Sequence, residues 1–341
     1  PHTRPVTDSA RRSKAGQILE RMLIADSAAR KRRYSVARIS TATRTSTLLR
    51  NVPQSATIIS QALIADQGMH GMADVVRYIP GITMGLGEGH RDAPTIRGNS
   101  STADFFIDGV RDDAQYYRDT YNVERVEALK GSNAMVFGRG GGGGILNRVT
   151  REAQRIPTRT LSMTGGTFAQ RRATLDVGQG VGRSVAARLN ALYENSANFR
   201  QASDNQRLGI NPTASLMLGR TMVRLGYEFY RDLRVVDRGI PSFQGAPAVT
   251  EARTYFGDPN QSNSTLTAQS IAATIDRQLW RGNAIVDGLQ LRNRTRAMTY
   301  DKFYQNVFPG TVNPAGTSVN LVGYNNGTDR RNLFNQTDLT S

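Results

Sequence analysis

Apolar and polar residues alternate along the second half of the chain, from residue 156 onwards. In residues 185–194, Val185, Leu189 and Tyr193 share one face, whereas Arg188 and Glu194 lie on the other. Residues 172–177 and 221–230 repeat this pattern. A period of two predicts amphipathic β-strands, of which we count about eight.

Two architectures fit such strands: a soluble β-sandwich and a transmembrane β-barrel. Several strands reach about ten residues, which is enough to span a bilayer. Tight connections at residues 178–184 and 219–220 alternate with long polar ones at 196–208, 232–263 and 301–329. This alternation favours the barrel. A barrel that encloses a separate domain needs about 22 strands, so we expect antiparallel strands of an incomplete 22-stranded barrel over residues 156–341.

Residues 51–153 mix short apolar runs with helix-like stretches and many glycines, and this pattern predicts a small α+β domain. Short apolar runs at residues 56–59, 95–97, 105–107 and 123–129 are predicted strands. Residues 61–78 have helical spacing that is interrupted near Gly68 and Gly71. Met72, Val75 and Val76 form an apolar stripe on this segment, and we expect them to pack in the core of the domain.

Composition narrows the possible functions. The chain has no cysteine, which excludes a disulfide framework and thiolate chemistry. The net charge is +16, and residues 1–50 hold 12 Lys or Arg against three acids. This leader is predicted to be disordered. A nucleic-acid-binding arm is the alternative, but the leader has Tyr34 as its one aromatic residue and no nucleic-acid-binding motif follows, so no nucleic-acid partner is expected.

The segment VERVEALKGSNAMVFGRGGGGGILNRVT, residues 123–150, resembles the plug-domain signature of TonB-dependent receptors. Upstream segments agree in order and spacing: residues 53–59, 74–82, 95–98 and 106–110. A dinucleotide-binding loop is the alternative, because residues 138–143 satisfy G-x-G-x-x-G. A strand rather than a helix is predicted after these glycines, which argues against it. We expect the glycines to permit close backbone approach.

The resemblance implies an α+β plug domain that closes an antiparallel transmembrane β-barrel in the outer membrane of a Gram-negative bacterium. It implies a siderophore receptor, and residues 99–104 and 112–118 resemble the ferric-catecholate branch. The expected partners are a ferric siderophore, the TonB–ExbB–ExbD complex and outer-membrane lipid. No enzyme activity and no cofactor are expected, since the iron arrives chelated. The alternative is a truncated, transport-incompetent receptor that binds or signals at the surface.

Ligand contact is expected from two loops of the plug-like region. Residues 85–91 contribute Arg91, and residues 111–118 contribute Arg111, Tyr116, Tyr117 and Arg118. Guanidinium groups and aromatic faces suit a flat anionic chelate. An ordinary polar loop is the alternative.

Other residues in this part of the chain have roles that the resemblance suggests. Arg97 would lock the plug to a glutamate of the barrel wall, or else be an exposed strand arginine. His90 is expected to be a lone exposed histidine, and no metal site is predicted. The TonB box candidate, an extended segment that would pair with TonB by strand addition, consists of Tyr34, Ser35, Val36, Ala37, Arg38 and Ile39.

Overall fold

The computed structural model describes residues 34–39, 47–85, 87–101, 104–131, 143–282 and 287–340. Two short helices are α1 (Gln61–Asp66) and α2 (Met72–Val76), and 3-10 turns cover Leu49–Asn51 and Gly87–Gly89. The first ten strands are β1 (Arg38–Ile39), β2 (Thr47–Leu48), β3 (Ser55–Ser60), β4 (Ile82–Gly85), β5 (Ala93–Ile96), β6 (Asn99–Ser100), β7 (Phe105–Ile107), β8 (Val110–Arg111), β9 (Val123–Lys130) and β10 (Gly144–Thr150). The remaining ten are β11 (Thr158–Gly165), β12 (Arg171–Val181), β13 (Val185–Ala197), β14 (Asp204–Leu218), β15 (Thr221–Val235), β16 (Ser242–Phe243), β17 (Ala246–Pro247), β18 (Asn263–Gly282), β19 (Asp287–Val312) and β20 (Val319–Thr340).

Residues 47–150 form a mixed α/β unit, which we call the N-terminal domain. Its main sheet has the order β3-β9-β10-β7-β8, with β7 and β10 parallel, and a second sheet has the order β4-β5-β6. Both helices contribute to one core cluster that also contains residues of both sheets, and the predicted stripe of Met72, Val75 and Val76 is buried there. The interruption between α1 and α2 lies at Gly68 and Gly71, as predicted. In the described ranges, no helix is long and apolar enough to cross a bilayer.

Two glycines at the start of β10 show why this part of the chain is glycine-rich. A Cβ on Gly143 would lie 2.2 Å from the carbonyl oxygen of Ile96, and one on Gly144 would lie 2.3 Å from that of Leu129. Gly144 also has a φ of 146°, which disfavours other residues. The predicted close backbone approach is confirmed at these two positions, whereas residues 132–142 lie outside the described residues. A strand follows, so the dinucleotide-loop interpretation is wrong.

The second half of the chain forms an eight-stranded antiparallel sheet in the order β11-β12-β13-β14-β15-β18-β19-β20. The predicted number of strands and the tight connection at residues 219–220 are confirmed. The connection predicted at residues 178–184 is shorter, because residues 178–181 belong to β12, and the loop predicted at residues 196–208 shortens to residues 198–203. The predicted loop at residues 301–329 is wrong. Asp301 and Asp329 are opposite each other in the β19–β20 ladder, and only residues 313–318 connect the two strands. Ladder hydrogen bonds satisfy the backbone however polar the side chains are.

The two faces of this sheet have opposite polarity. The face toward the N-terminal domain buries polar groups such as Asn190, Glu194 and Arg207. The other face leaves large apolar side chains exposed, including Leu208, Ile271 and Leu333. A soluble sandwich would bury its apolar face. The observed arrangement is that of strands from an outer-membrane barrel, with the N-terminal domain on the inner face.

Candidate ligand-binding site

The two ends of the eight-stranded sheet differ in their connections. Residues 182–184 and 219–220 define a short-turn end, whereas residues 198–203, 236–262 and 313–318 define a long-loop end. The N-terminal domain presents its Gly87–Gly89 turn to the long-loop end. There Glu88 accepts hydrogen bonds from Arg238 and, at 2.7 Å, from the Tyr324 hydroxyl. Arg155, just before β11, donates to the carbonyl of Gly182 (3.0 Å) at the short-turn end.

The two predicted ligand loops lie side by side at the long-loop end. Arg91 of the first loop donates a hydrogen bond to the side chain of Gln115 in the second. The backbone N–H of Asp92 donates to the carbonyl of Tyr116 at 3.1 Å. The structure therefore brings together residues that the sequence separates by more than twenty positions. Their contact with a ligand stays a prediction.

Arg118 is fully buried and holds the second loop in shape. Its Nε donates to the Asp112 carboxylate at 2.8 Å, and its Nη atoms donate to three carbonyls of residues 112–116. The guanidinium also stacks 3.8 Å from the centroid of the Phe105 ring. Burial alone would raise the pKa of Asp112, but Arg118 and Arg148 outweigh it and keep that pKa below its usual range. In this structure Arg118 positions the loop.

The other predicted residues of this loop differ in exposure. Tyr116 is buried, and its hydroxyl donates to Asp112 at 2.9 Å. Tyr117 is half-buried between two arginines of the sheet, with Arg207 at 4.8 Å and Arg234 at 4.5 Å from the ring centroid. Burial raises the pKa of Tyr117 to about 12. Arg111 is half-buried at the end of β8.

His90 is buried rather than exposed, so that prediction is wrong. Its ring lies 4.0 Å from the ring of Tyr304 on β19. Burial, with Lys302 and Arg91 nearby, lowers the pKa of His90 to about 2, so the imidazole is neutral. Among the residues that the structure describes, neither ring nitrogen forms a hydrogen bond, and Nε2 lies 3.5 Å from the Glu88 carboxylate. Within the described ranges, no group of three or more potential ligands could hold a metal ion.

Residues of the sheet and of its loops complete this cluster, and local sequence gave no signal for them. The guanidinium of Arg238 lies 3.8 Å from the Phe308 ring centroid and 5.4 Å from that of Tyr324. Lys302 donates to the carbonyl of Gln115. The register of β19 and β20 is needed to place Lys302 and Tyr324 beside loops that lie some 200 positions earlier.

The N-terminal domain is attached to the sheet by its own carboxylates. Asp119 binds Arg172 at 2.7 and 2.9 Å and Arg207 at 2.5 Å, and Glu194 on β13 joins the same two arginines. Asp108 pairs with Arg296 on β19. In the predicted lock at Arg97, by contrast, the N-terminal domain would supply the cation and the barrel wall the carboxylate.

Arg97 lies in the turn between β5 and β6, with a φ of 50°, and it is exposed. Among the described residues it has no ion-pair partner, so its locking role stays a prediction.

The TonB box candidate packs against the N-terminal domain. Arg38 and Ile39 form β1, which pairs with β2. Ile39 is buried in a cluster with Leu129 and Ile145. The hydroxyl of Tyr34 donates to Asp66 at 2.6 Å. This arrangement does not test pairing with TonB, so the role of this segment as the TonB box stays a prediction.

These features define a class of protein: an α+β domain held by ion pairs on the polar inner face of outer-membrane-type strands. Residues 48–145 match the TonB-dependent receptor plug domain. The chain therefore carries a region that matches the plug domain of TonB-dependent receptors, followed by strands arranged as in part of an outer-membrane barrel.

Named relatives support this assignment. The chain is 38% identical over 199 residues to BfrD of Bordetella pertussis, a probable TonB-dependent receptor, covering 57% of this chain and 27% of that protein. It is 34% identical over 222 residues to PiuA of Acinetobacter baumannii, a probable TonB-dependent siderophore receptor, covering 61% and 30%. It is 28% identical over 308 residues to Fiu of Escherichia coli, a catecholate siderophore receptor, covering 84% and 40%. The chain thus spans well under half the length of these relatives.

Solved structures of the same relatives match the fold. The crystal structure of PiuA gives a TM-score of 0.81 at 27% identity, covering 90% of this chain and 45% of that one. The open form of Fiu gives 0.78 at 26% identity, covering 89% and 49%. Both matches extend over the N-terminal domain and the strands together.

Proposed function

We propose that the protein is a TonB-dependent receptor of the Gram-negative outer membrane that takes up a ferric catecholate siderophore. The names of PiuA and Fiu support the substrate class. TonB, acting with ExbB and ExbD, would supply the energy. The long-loop end would face the cell exterior, because outer-membrane barrels place long loops there and short turns in the periplasm. The exposed apolar face of the sheet would contact lipid.

One observation carries the proposal: cations and aromatic rings from both parts of the chain converge at the long-loop end. Arg91 comes from the N-terminal domain, whereas Arg238, Lys302 and Tyr324 come from the strands and their loops. Guanidinium groups that stack on aromatic rings suit flat, negatively charged catecholates. The protein would need no resident cofactor, because iron is part of the cargo.

The proposal can be tested in an iron-starved strain that lacks its own catecholate receptors. We expect cells with the protein in the outer membrane to bind and take up radioactive ferric dihydroxybenzoate, and uptake to stop when TonB is deleted. A ferric hydroxamate serves as the control chelate. Absence of both binding and TonB-dependent uptake would reject the proposal. Binding without uptake would favour a surface-binding receptor.

A paired substitution localises the site. Arg91→Gln should weaken binding of ferric dihydroxybenzoate about tenfold, the effect of losing one hydrogen bond to a charged group. Arg77→Gln is the matched control, because the Arg77 side chain is 76% exposed and its ion pair is with Asp74 of the neighbouring helix. Equal effects of the two substitutions would contradict the assignment of the site.

A further inference from the structure

The Gly87–Gly89 turn holds a charged side chain in a backbone conformation that suits glycine. The φ angle is 59° at Gly87, 61° at Glu88 and 80° at Gly89, so three successive residues are left-handed. A residue that has a Cβ is disfavoured in this region. Such a conformation persists where the surrounding contacts hold it in place. The contacts of the Glu88 side chain are therefore the ones to examine.

The glycines on either side of Glu88 let the turn approach its neighbours closely. A Cβ on Gly87 would lie 2.7 Å from the Cγ of Arg91, and one on Gly89 would lie 2.9 Å from backbone atoms of Asp237. Asp237 belongs to the loop that follows β15, so the turn packs against the long-loop end of the sheet. The N-terminal domain thus brings one carboxylate to the candidate ligand site.

Both oxygens of the Glu88 carboxylate are bonded to groups of the sheet and its loops. Oε1 accepts a hydrogen bond from Arg238, and Oε2 accepts one from the Tyr324 hydroxyl at 2.7 Å. Oε2 also lies 3.8 Å from the guanidinium of Arg91. In the described part of the chain, no other carboxylate pairs with Arg91 or Arg238. Two guanidinium groups and a phenol therefore share one anion.

These are the same donors that the proposed function assigns to the chelate. The side chains of Glu88, Arg91 and Arg238 are 29%, 25% and 26% exposed, respectively, so a solute can reach them. An anionic oxygen of the ligand and the Glu88 carboxylate would compete for these donors. A multiply charged chelate can replace the carboxylate on both guanidinium groups at once, whereas a singly charged anion replaces only part of its contacts.

We propose that Glu88 is a specificity-determining residue: its carboxylate is an internal competitor that yields Arg238 and Tyr324 to a chelate with several anionic oxygens. Displacement of the carboxylate also releases the turn from its left-handed conformation, which favours the exchange. The proposal rests on the proposed function, because that function supplies the anionic chelate. It adds a residue that lowers the affinity of the site and thereby excludes weak anions.

Removal of the competitor should raise affinity, which loss of a merely structural ion pair would not do. On whole cells, Glu88→Gln should bind ferric dihydroxybenzoate about tenfold more tightly, which corresponds to a ligand-competent fraction of about one tenth in the parent. Glu251→Gln is the matched control, because Glu251 lies in the loop of residues 236–262, is 70% exposed and pairs with Arg253. Its affinity should stay within about twofold of the parent. Unchanged or weaker binding by Glu88→Gln would overturn the proposal.

A double-mutant cycle separates competition from general charge repulsion. In the Arg238→Gln background the carboxylate no longer competes for that guanidinium, so adding Glu88→Gln should change affinity by less than about threefold. The same gain in both backgrounds would reveal a long-range effect of charge and would also overturn the proposal.

Hydrogen–deuterium exchange tests the competition without the cargo. The amide of His90 donates to the carbonyl of Gly87 at 3.3 Å, so it reports on the turn. Inorganic pyrophosphate, which binds guanidinium groups bidentately, should speed exchange of this amide about tenfold in the parent and leave Glu88→Gln unchanged. Equal acceleration by sodium chloride at the same ionic strength, or no acceleration in the parent, would overturn the proposal. If the parent binds no ferric dihydroxybenzoate, the proposed function fails, and this measurement still decides whether Glu88 is a competitor.

Discussion

Asp119 provides the sharpest test of how the N-terminal domain is held on the sheet. Its side chain is completely buried, and it bonds Arg172 of β12 and Arg207 of β14. Glu194 on the strand between them bonds the same two arginines. Burial would raise the pKa of Asp119, but Arg207 and Arg172 outweigh it, so the pKa lies below its usual range and the carboxylate is ionised.

Asp119→Asn keeps the size of the side chain and removes its charge. Two buried arginines would then share the single carboxylate of Glu194. Loss of one partner from a buried ion pair costs about 3–5 kcal/mol, because the remaining charge is left uncompensated. A local opening that becomes about 3 kcal/mol easier proceeds roughly a hundredfold more often.

Hydrogen–deuterium exchange with mass spectrometry measures this opening directly. In the detergent-solubilised protein, the amides of residues 119–123 should exchange about a hundredfold faster in Asp119→Asn than in the parent. The amide of Tyr121 is the most informative, since it donates to the Asp119 carboxylate at 2.9 Å. Asp329→Asn is the control, because the Asp329 side chain is 74% exposed.

A second substitution separates charge balance from simple loss of contacts. Adding Arg207→Gln to Asp119→Asn leaves Arg172 and Glu194 as a balanced pair, so part of the lost protection should return. Additive effects of the two changes would mean that the charges are not coupled. Exchange in Asp119→Asn within about twofold of the parent would refute the attachment itself.

Three further predictions use the same exchange measurement. Gly209→Leu should speed exchange at Tyr121, because even a Cβ on Gly209 would lie 2.7–3.1 Å from the Tyr121 ring, and overpacking costs about 1–3 kcal/mol. Burial raises the pKa of Asp92 to about 6, so its ionised form destabilises the fold. Local protection should therefore fall as the pH rises from about 4 to 6, and Asp92→Asn should remove this dependence. Ile39→Ala should cost about 2–5 kcal/mol and speed exchange at Leu129, while residues 119–123 keep the parental rate.

The sequence predicted the architecture well, because alternation and turns are local signals. The inward and outward faces of residues 185–194 follow from side-chain period alone. The helical break at Gly68 and Gly71 follows from the conformational freedom of glycine. Residues 301–329 show where the signal failed: this stretch is polar enough to resemble a loop, yet its backbone is paired along nearly its whole length.

The candidate site could be predicted only in part. The adjacency of Arg91 and residues 111–118 followed from the resemblance to a plug domain. The burial of Arg118 could not be predicted, because an arginine in a polar loop is expected to be exposed. Its donors are satisfied by carbonyls of its own loop, which only the folded backbone reveals. The contributions of Lys302 and Tyr324 needed the register of strands far along the chain.

Two groups of contacts involve the N-terminal domain. Residues 34–39 pack on the domain through an apolar side chain, whereas ion pairs hold the domain on the sheet. Ile39 packs on Leu129 and Ile145, which belong to the central strands β9 and β10. The ion pairs come instead from Asp108 and Asp119, on segments that flank those strands. Displacement of residues 34–39 would therefore uncover apolar surface while the Asp119 ion pairs still hold. The exchange pattern expected for Ile39→Ala tests this order, because early loss of protection at residues 119–123 would show that the two groups open together.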